Sequence, residues 1–507
     1  MSNTGAQAAR HLRLDALIKL HHIDIISAVP GTRPFTLDEI FHPRSVAIVG
    51  ASPENFMSFA AWAVASLKSA GFPAIYPVNP KYSEAYGLVC YPSVSSIPGP
   101  VDHVIVAIPA ERAMDVLDDC ARKGVMSVHF FTAGFSESGE KSRAELERSM
   151  LQKARDGGFR IIGPNCTGLF VPKDRLTTAT RMPMQPGDIA FMSQSGGHSQ
   201  DMPLHAGPRG LRFSKVISYG NALDIDECEL LEYFTNDAET KIIAAYIEGV
   251  REGGRFRAVL ERAASVKPVV IYKGGTTEAG LRTAMSHTAS MTSSVKAFQA
   301  LCRQANAIQV GDIQELIDVL VALSYARPYP LGRGIAVVGV GGGPSVEAGD
   351  HMEAAGLELS ALTPEVQAKL KELLPNAGGI FTNPLDATNL VYPDVIYKTL
   401  KVIGGSAGID MIMYHMGFHP VTRWGEGIYS SDFFLKPAAE ALHKAHDEIN
   451  KPVLMALGPA SDMVGMEEML KVQEAFIKEG LPVFRSIQKA ALAMARVEAW
   501  RRRFETA

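Results

Sequence analysis

Ser45-Val46-Ala47-Ile48-Val49-Gly50-Ala51-Ser52 is a β-branched apolar run that stops on glycine and small residues, ahead of a helical pattern near 57–70. A strand that is apolar on both faces belongs inside a sheet covered on both sides. The same unit recurs downstream. Ala74-Ile75-Tyr76-Pro77-Val78 is a second such strand. Val104-Ile105-Val106-Ala107-Ile108 is a third, and it runs into Pro109, well placed to open a helix that Gly124 closes. Ser127 to Phe131 leads to Thr132-Ala133-Gly134-Phe135, and Phe159-Arg160-Ile161-Ile162 leads to Gly163-Pro164-Asn165. Repeated strand–loop–helix units predict a parallel, doubly wound sheet with its ligands at the carboxyl ends of the strands.

A connector near 171–187 separates a second unit with strands at Asp188–Met192, Ser214–Ser218, Ile242–Ile247 and Val269–Tyr272, closed by Pro328-Tyr329-Pro330. A third unit opens with Gly334-Ile335-Ala336-Val337-Val338-Gly339-Val340-Gly341-Gly342-Gly343 and has further strands near 410–415, 452–457 and 482–485. With 507 residues the chain exceeds one core. The expectation is an α/β protein of three doubly wound domains, preceded by an N-terminal extension over 1–36 to which no role is assigned. Hydrophobic residues at 47% and charged residues at 21% fit a soluble globular protein. A net charge of −4 gives no reason to expect nucleic acid or an anionic membrane surface as partner. Cys90, Cys120, Cys166, Cys228 and Cys302 have no CxxC spacing, which disfavours a zinc site or a disulfide framework and fits a reducing cytoplasm. No signal pattern and no stretch of about 18 apolar residues is present, so a soluble cytoplasmic protein without a membrane partner is expected.

Several loops carry potential chemistry. Gly50-Ala51-Ser52 can present N–H groups and a helix dipole to phosphate, but it lacks GxGxxG, and the second strand ends Pro77-Val78-Asn79-Pro80-Lys81. A cation thus stands where an NAD ribose partner would, favouring a phosphate-rich ligand; the plainer reading is a tight turn and a surface lysine. Ser193-Gln194-Ser195-Gly196-Gly197 opens a helix with small residues that let N–H groups close on an oxyanion, or equally with a hydroxyl cap and close-packing glycines. Glu248, at the end of Ile242–Ile247, can fix an imidazole tautomer or be a solvated strand end. His287 lies among small hydroxyl residues in Ser286-His287-Thr288-Ala289-Ser290-Met291-Thr292-Ser293-Ser294, downstream of Lys273-Gly274-Gly275. Such an imidazole can carry a phosphoryl group without steric conflict, although a loop histidine by itself is usually a bystander. Gly341-Gly342-Gly343 reads as a turn, and no catalysis is assigned to it.

Together these segments resemble the nucleoside-diphosphate-forming acyl-CoA synthetases, the superfamily of succinyl-CoA synthetase and ADP-forming acetyl-CoA synthetase. The resemblance covers roughly 37–500 and also takes in Ala133-Gly134-Phe135-Ser136-Glu137, Gly163-Pro164-Asn165-Cys166-Thr167-Gly168, Gly220-Asn221, Tyr246-Ile247-Glu248-Gly249, Thr277-Glu278-Ala279-Gly280 and Asn383-Pro384-Leu385-Asp386. It implies a Rossmann-like coenzyme A domain over 37–170, a flavodoxin-like ligase domain over 185–330 and a second flavodoxin-like ligase domain over 331–507. Coenzyme A would meet Gly50, Ala51, Ser52, Asn79, Pro80, Lys81, Ile108, Pro109, Ala133, Gly134 and Asn165. By the same resemblance His287 is the phosphohistidine and Glu248 its supporting glutamate, while Ser193 to Gly197 receive the phosphoryl group; no metal site is implied on this chain.

The implied activity is an acid–thiol ligase, making an acyl-CoA from a small carboxylic acid, coenzyme A and ATP through phosphohistidine and an acyl phosphate. Neither a nucleotide-binding glycine-rich hairpin nor paired carboxylates for magnesium is seen after residue 330. ATP/ADP with Mg2+ would therefore sit on an ATP-grasp beta-type partner, in a hetero-oligomer built on an alpha dimer. Where the family commonly continues Ser-His-Thr with Gly-Ser/Ala-Leu-Ala-Gly, this chain has Ala289, Met291 and Ser293 in place of the glycines and leucine. Two other readings stay open: a CoA-dependent acyl- or carbamoyl-transferring relative that uses no histidine phosphorylation, and a non-catalytic CoA-binding protein.

Overall fold

A computed structural model describes residues 35–288, 294–375, 379–418, 435–460 and 462–506; of the N-terminal extension 1–36, only the last two residues fall within it. Three sheets are built from the expected apolar runs. The first has five parallel strands in the spatial order Ile75–Val78, Val46–Val49, His103–Val106, Ser127–Phe130, Arg160–Ile162. Chain order reverses between Val46–Val49 and His103–Val106, so the crevice of a doubly wound sheet opens there, beyond the carboxyl ends of both strands. Val46, Ala47 and Ile48 are fully buried, as the unbroken apolar run requires.

The second sheet runs Ile308–Val310, Val269–Lys273, Ile242–Ile247, Pro186–Ser193, Phe213–Ser218, Gly168–Phe170. Its reversal lies between Pro186–Ser193 and Ile242–Ile247, which pair in parallel from Ile189 opposite Ile242 to Ser193 opposite Tyr246. Gly168–Phe170, assigned from the sequence to the first unit, is instead an antiparallel edge strand of this sheet, opposite Val216–Ser218. A strand this short is placed by its partner rather than by its neighbours in sequence. The third sheet contains Leu385–Asp386, Gly334–Gly339, Met411–Phe418, Val453–Ala460 and Val483–Phe484 in parallel, with Ile380–Phe381 antiparallel at one edge. All three units are thus α/β and doubly wound.

The units share cores. Phe41, from the helix Leu37–Phe41, stacks on Tyr233 at 5.1 Å between ring centroids, and its apolar cluster continues through Phe234 and Phe256 of the second unit. The C-terminal helix Ile487–Thr506 packs on Ile313–Tyr325, so that Met494, Val497 and Trp500 are buried with Leu316 and Leu320. Arg160 at the edge of the first sheet pairs with both Asp224 and Glu229 of the second unit, at 2.8 Å each. Among the described residues no helix is long and apolar enough to cross a membrane.

Candidate active site

Every loop expected to meet coenzyme A lies at the carboxyl edge of the first sheet. Gly50 follows Val49 with φ +97°, and a Cβ there would lie 2.5 Å from the carbonyl oxygen of Ala107; only glycine lets the two switch-point loops touch. The Asn79 side chain donates to the Ala51 carbonyl (2.9 Å) and accepts from the Lys81 N–H (3.1 Å), tying the first and second loops together while Lys81 stays exposed. Ile108 accepts the Thr132 hydroxyl (2.6 Å), and the Asn165 N–H donates to the Thr132 carbonyl (3.0 Å), which links the third, fourth and fifth loops. Pro109 precedes a short turn, Ala110–Arg112, and the helix itself runs Ala113–Lys123 to the expected stop at Gly124. One expectation needs correction. The helix after Gly50-Ala51-Ser52 begins only at Phe59, and its own Ser58 side chain accepts from Ala61 N–H. The Gly50-Ala51-Ser52 loop is therefore not the first turn of that helix, and the N–H groups it offers are its own.

At the second switch point the Ser193–Gly197 loop meets Glu248. Ser195 caps the helix Gly196–Ala206, accepting from His198 N–H (3.3 Å). The N–H groups of Gly196 and Gly197 open that helix and have no acceptor within it. Ser193 is fully buried, its hydroxyl donating to the Ser195 carbonyl (2.7 Å) and accepting from Ser195 N–H (3.1 Å). Gln194 was expected among the phosphate ligands, but its carboxamide oxygen accepts from the N–H groups of Glu248 (2.5 Å) and Gly249 (2.9 Å), and its amide donates to the Gly249 carbonyl (3.2 Å). Its backbone N–H is taken by Tyr246 O at 3.2 Å. Gln194 therefore holds the backbone at Glu248, and the N–H groups this loop presents at the helix start are those of Gly196 and Gly197.

Glu248 is 6% exposed and is held on two further sides. The Tyr246 hydroxyl donates to its carboxylate (3.1 Å), and the ammonium of the buried Lys273 donates to its carbonyl (2.7 Å) and to that of Gly274 (2.5 Å). Burial pushes the Lys273 pKa down, opposed by the charge of Glu248. His198 meets the Tyr246 ring edge-on at 4.5 Å, and Tyr272 lies 5.1 Å from Tyr246. Tyr246, Lys273 and His198 were not singled out from the sequence as site residues. Lys273 stood in a quoted turn, but nothing local marks it as buried.

His287 does not lie in a loop. It is in the last turn of the helix Glu278–Thr288, whose start is capped by Thr277 (Gly280 N–H to its hydroxyl, 3.1 Å). Its side chain and residues 289–293 lie outside the described residues. The helix packs against the turn Ser136–Ser138 of the first unit, so the two crevices are neighbours. In the third unit Asp386 accepts from Gly341 N–H at 2.7 Å, bracing the glycine turn. Among the described residues no cluster of three or more His, Cys, Asp or Glu could hold a metal ion.

Family comparisons agree with this architecture. A CoA binding domain model matches 44–172, and a succinyl-CoA ligase like flavodoxin domain model matches 186–323. The chain is 33% identical over 459 residues to the alpha subunit of acetate–CoA ligase [ADP-forming] II of Pyrococcus furiosus, covering 90% of this chain and 96% of that one. It is 33% identical to acetate–CoA ligase [ADP-forming] II of Archaeoglobus fulgidus, with 92% of this chain aligned to 67% of that longer protein. Among solved structures, acetyl-coenzyme A synthetase 1 of Ca. Korarchaeum cryptofilum, in complex with phosphate and ADP, matches with a TM-score of 0.77 at 29% identity over 92% of this chain and 97% of that one. A CoA-binding unit joined to a ligase unit is the layout of an acid–thiol ligase. The chain belongs to the ADP-forming acyl-CoA synthetase family, in which it aligns along nearly the full length of an alpha subunit.

Proposed function

We propose that this chain joins a small carboxylic acid to coenzyme A through a phosphorylated His287 and an acyl phosphate. A carboxylate is a poor acyl donor because oxide would have to leave. Transfer of a phosphoryl group from His287 makes phosphate the leaving group and divides one hard step into easier ones. In this reading Glu248 holds the His287 imidazole by one nitrogen and frees the other. The N–H groups of Gly196 and Gly197 stabilise the moving phosphoryl charge. Coenzyme A, when bound, supplies the thiol that accepts the acyl group. Gly50 to Ser52, Pro80, Lys81, Ile108, Pro109, Ala133, Gly134 and Asn165 would hold it, and the crevice fits a phosphate-rich ligand because Lys81 is exposed beside it.

The observation that carries the reading is the clamped, buried Glu248 next to the open helix start at Gly196, in the unit whose His287 helix packs on the first. ATP with Mg2+ is proposed to act on a separate ATP-grasp beta-type chain, in a hetero-oligomer built on an alpha dimer. Support comes from the relative named as an alpha subunit, matched over 96% of its length, and from the longer relative, a third of which lies outside the match. The nucleotide and thiol substrates make the cytoplasm the proposed compartment.

The test is intact-mass analysis of the purified chain after incubation with a panel of acyl-CoA thioesters and inorganic phosphate, since the reverse reaction needs no nucleotide chain. One adduct of about 80 Da, the mass of a phosphoryl group, is expected in the wild type and none in His287→Ala. An adduct that survives His287→Ala, or none with any thioester, sinks the reading. With ATP and Mg2+ alone the chain should stay unmodified.

A further inference from the structure

The Gly220-Asn221 pair has no role in the reading above, yet Asn221 occupies the junction of the two crevices. It follows the strand Phe213–Ser218 and is 5% exposed. Its amide nitrogen donates to two carboxylates of the first unit, Glu137 at 2.6 Å and Glu147 at 2.9 Å. Its backbone N–H donates to the Pro164 carbonyl (3.0 Å), and its own carbonyl accepts from the Arg251 guanidinium (2.5 Å), three residues beyond Glu248. Gly220 lets the backbones meet: a Cβ there would lie 2.5 Å from the Asn165 carbonyl oxygen. Glu137 in turn accepts from the N–H groups of Gly134 (2.6 Å) and Phe135 (3.2 Å), and Glu147 from Ser136 N–H (3.3 Å). The turn Ser136–Ser138 is the one on which the His287 helix packs.

We propose that Asn221 is a positioning residue for the thioester-forming half of the reaction. It fixes the Ala133–Glu137 loop of the first crevice against the Glu248 end of the second, and so sets the registry in which bound thiol and acyl phosphate meet. Two carboxylates side by side repel unless donors lie between them. The amide of Asn221 is such a donor, reaching from the second unit to both carboxylates of the first. The proposal rests on the phosphohistidine reading, and it predicts that the two halves of the reaction separate. Acyl phosphate needs only the second crevice to phosphorylate His287. Acyl-CoA with inorganic phosphate needs both, because thioester cleavage, with phosphate taking the acyl group and CoA leaving as thiol, must come first.

The experiment labels the whole chain by both routes, using the acetyl, isobutyryl or phenylacetyl compound that labels the wild type fastest. Asn221→Asp puts a third acceptor in place of the donor, and Glu137→Gln is a second, milder variant that keeps the size and one acceptor oxygen. Labelling of Asn221→Asp from acyl-CoA and phosphate should fall about 100-fold, the scale expected of a misregistered reactant pair, while labelling from acyl phosphate stays within about 2-fold of wild type. Glu137→Gln should fall on the same route only, by less. Equal losses on both routes in both variants, or no loss on either, overturn the proposal. A wild type that labels by neither route fails the phosphohistidine reading itself, a result distinct from any behaviour of the variants.

Discussion

Gln194 holds Glu248 from behind, its carboxamide oxygen accepting from the N–H groups of Glu248 and Gly249 at 2.5 and 2.9 Å. One side chain thereby fixes the backbone that aims the site carboxylate. Gln194→Ala should leave two buried N–H groups without an acceptor and lower stability by about 1–3 kcal/mol for each. Labelling of His287 should fall about 10- to 100-fold through loss of aim, with coenzyme A affinity unchanged. Calorimetric binding of coenzyme A beside the labelling rate checks this, and equal loss of both would refute a local role.

That relationship marks where reading the sequence stops. Ile242–Ile247 was found to the residue because an apolar run between Lys241 and Glu248 can only be a buried strand. That ligand loops gather at the carboxyl ends of the strands followed from the repetition of such runs, whereas the strand order that opens the two crevices is set by the fold. A glutamine in a serine- and glycine-rich loop, by contrast, looks like a phosphate donor, and only the fold brings it to a backbone 54 residues away. Asn221 is hidden for the same reason, since its acceptors lie 74 and 84 residues earlier. The capping of Phe59–Ala70 by Ser58 is local and could have been read: a serine three residues ahead of Ala61 signals a late helix start.

Gly50→Ala tests the first crevice. The substitution forces a β-carbon into a backbone at φ +97° and to 2.5 Å from the Ala107 carbonyl oxygen, so one of the two switch-point loops must move. A stability loss of about 1–3 kcal/mol is expected from the strain. Coenzyme A affinity should drop at least 10-fold, while labelling from acyl phosphate is retained. Unchanged affinity by calorimetry would remove Gly50 from the binding site.

Buried imidazoles set the acid limit. His103 and His129 lie side by side on adjacent strands with ring centroids 6.1 Å apart; burial pushes their pKa values to about 3 and about 4, and His415 to about 4. For His103 the charge of His129 adds to the effect of burial. The unfolded chain binds these protons near pH 6.5, and the folded chain does not. Stability is therefore full above about pH 6.5 and falls with pH towards 4, by about 1.4 kcal/mol per pH unit for each imidazole. Glu239, held down to about 2 by Lys173 and Lys215, is lost only at lower pH, from the ordinary carboxylate range downward. Urea midpoints between pH 7 and 5 should fall steeply, and His103→Gln should flatten the slope. A flat profile in the wild type would contradict the burial.

The third unit is stapled to the second through Arg209, 2% exposed, whose guanidinium donates to Asp318 (2.9 Å) and to the Val483 carbonyl (2.8 Å). Burial lowers the pKa of Arg209 and raises that of Asp318, so desolvation outweighs the attraction at both ends of the pair. Such a pair adds little net stability, yet half of it is worse than none. Arg209→Met should strand the Asp318 carboxylate and cost about 3–5 kcal/mol, whereas Arg209→Met with Asp318→Leu should recover most of that loss. Urea unfolding of the two variants decides the matter. A double variant as unstable as the single one would mean that the lost bond to Val483 across the two units, and not the stranded carboxylate, carries the cost.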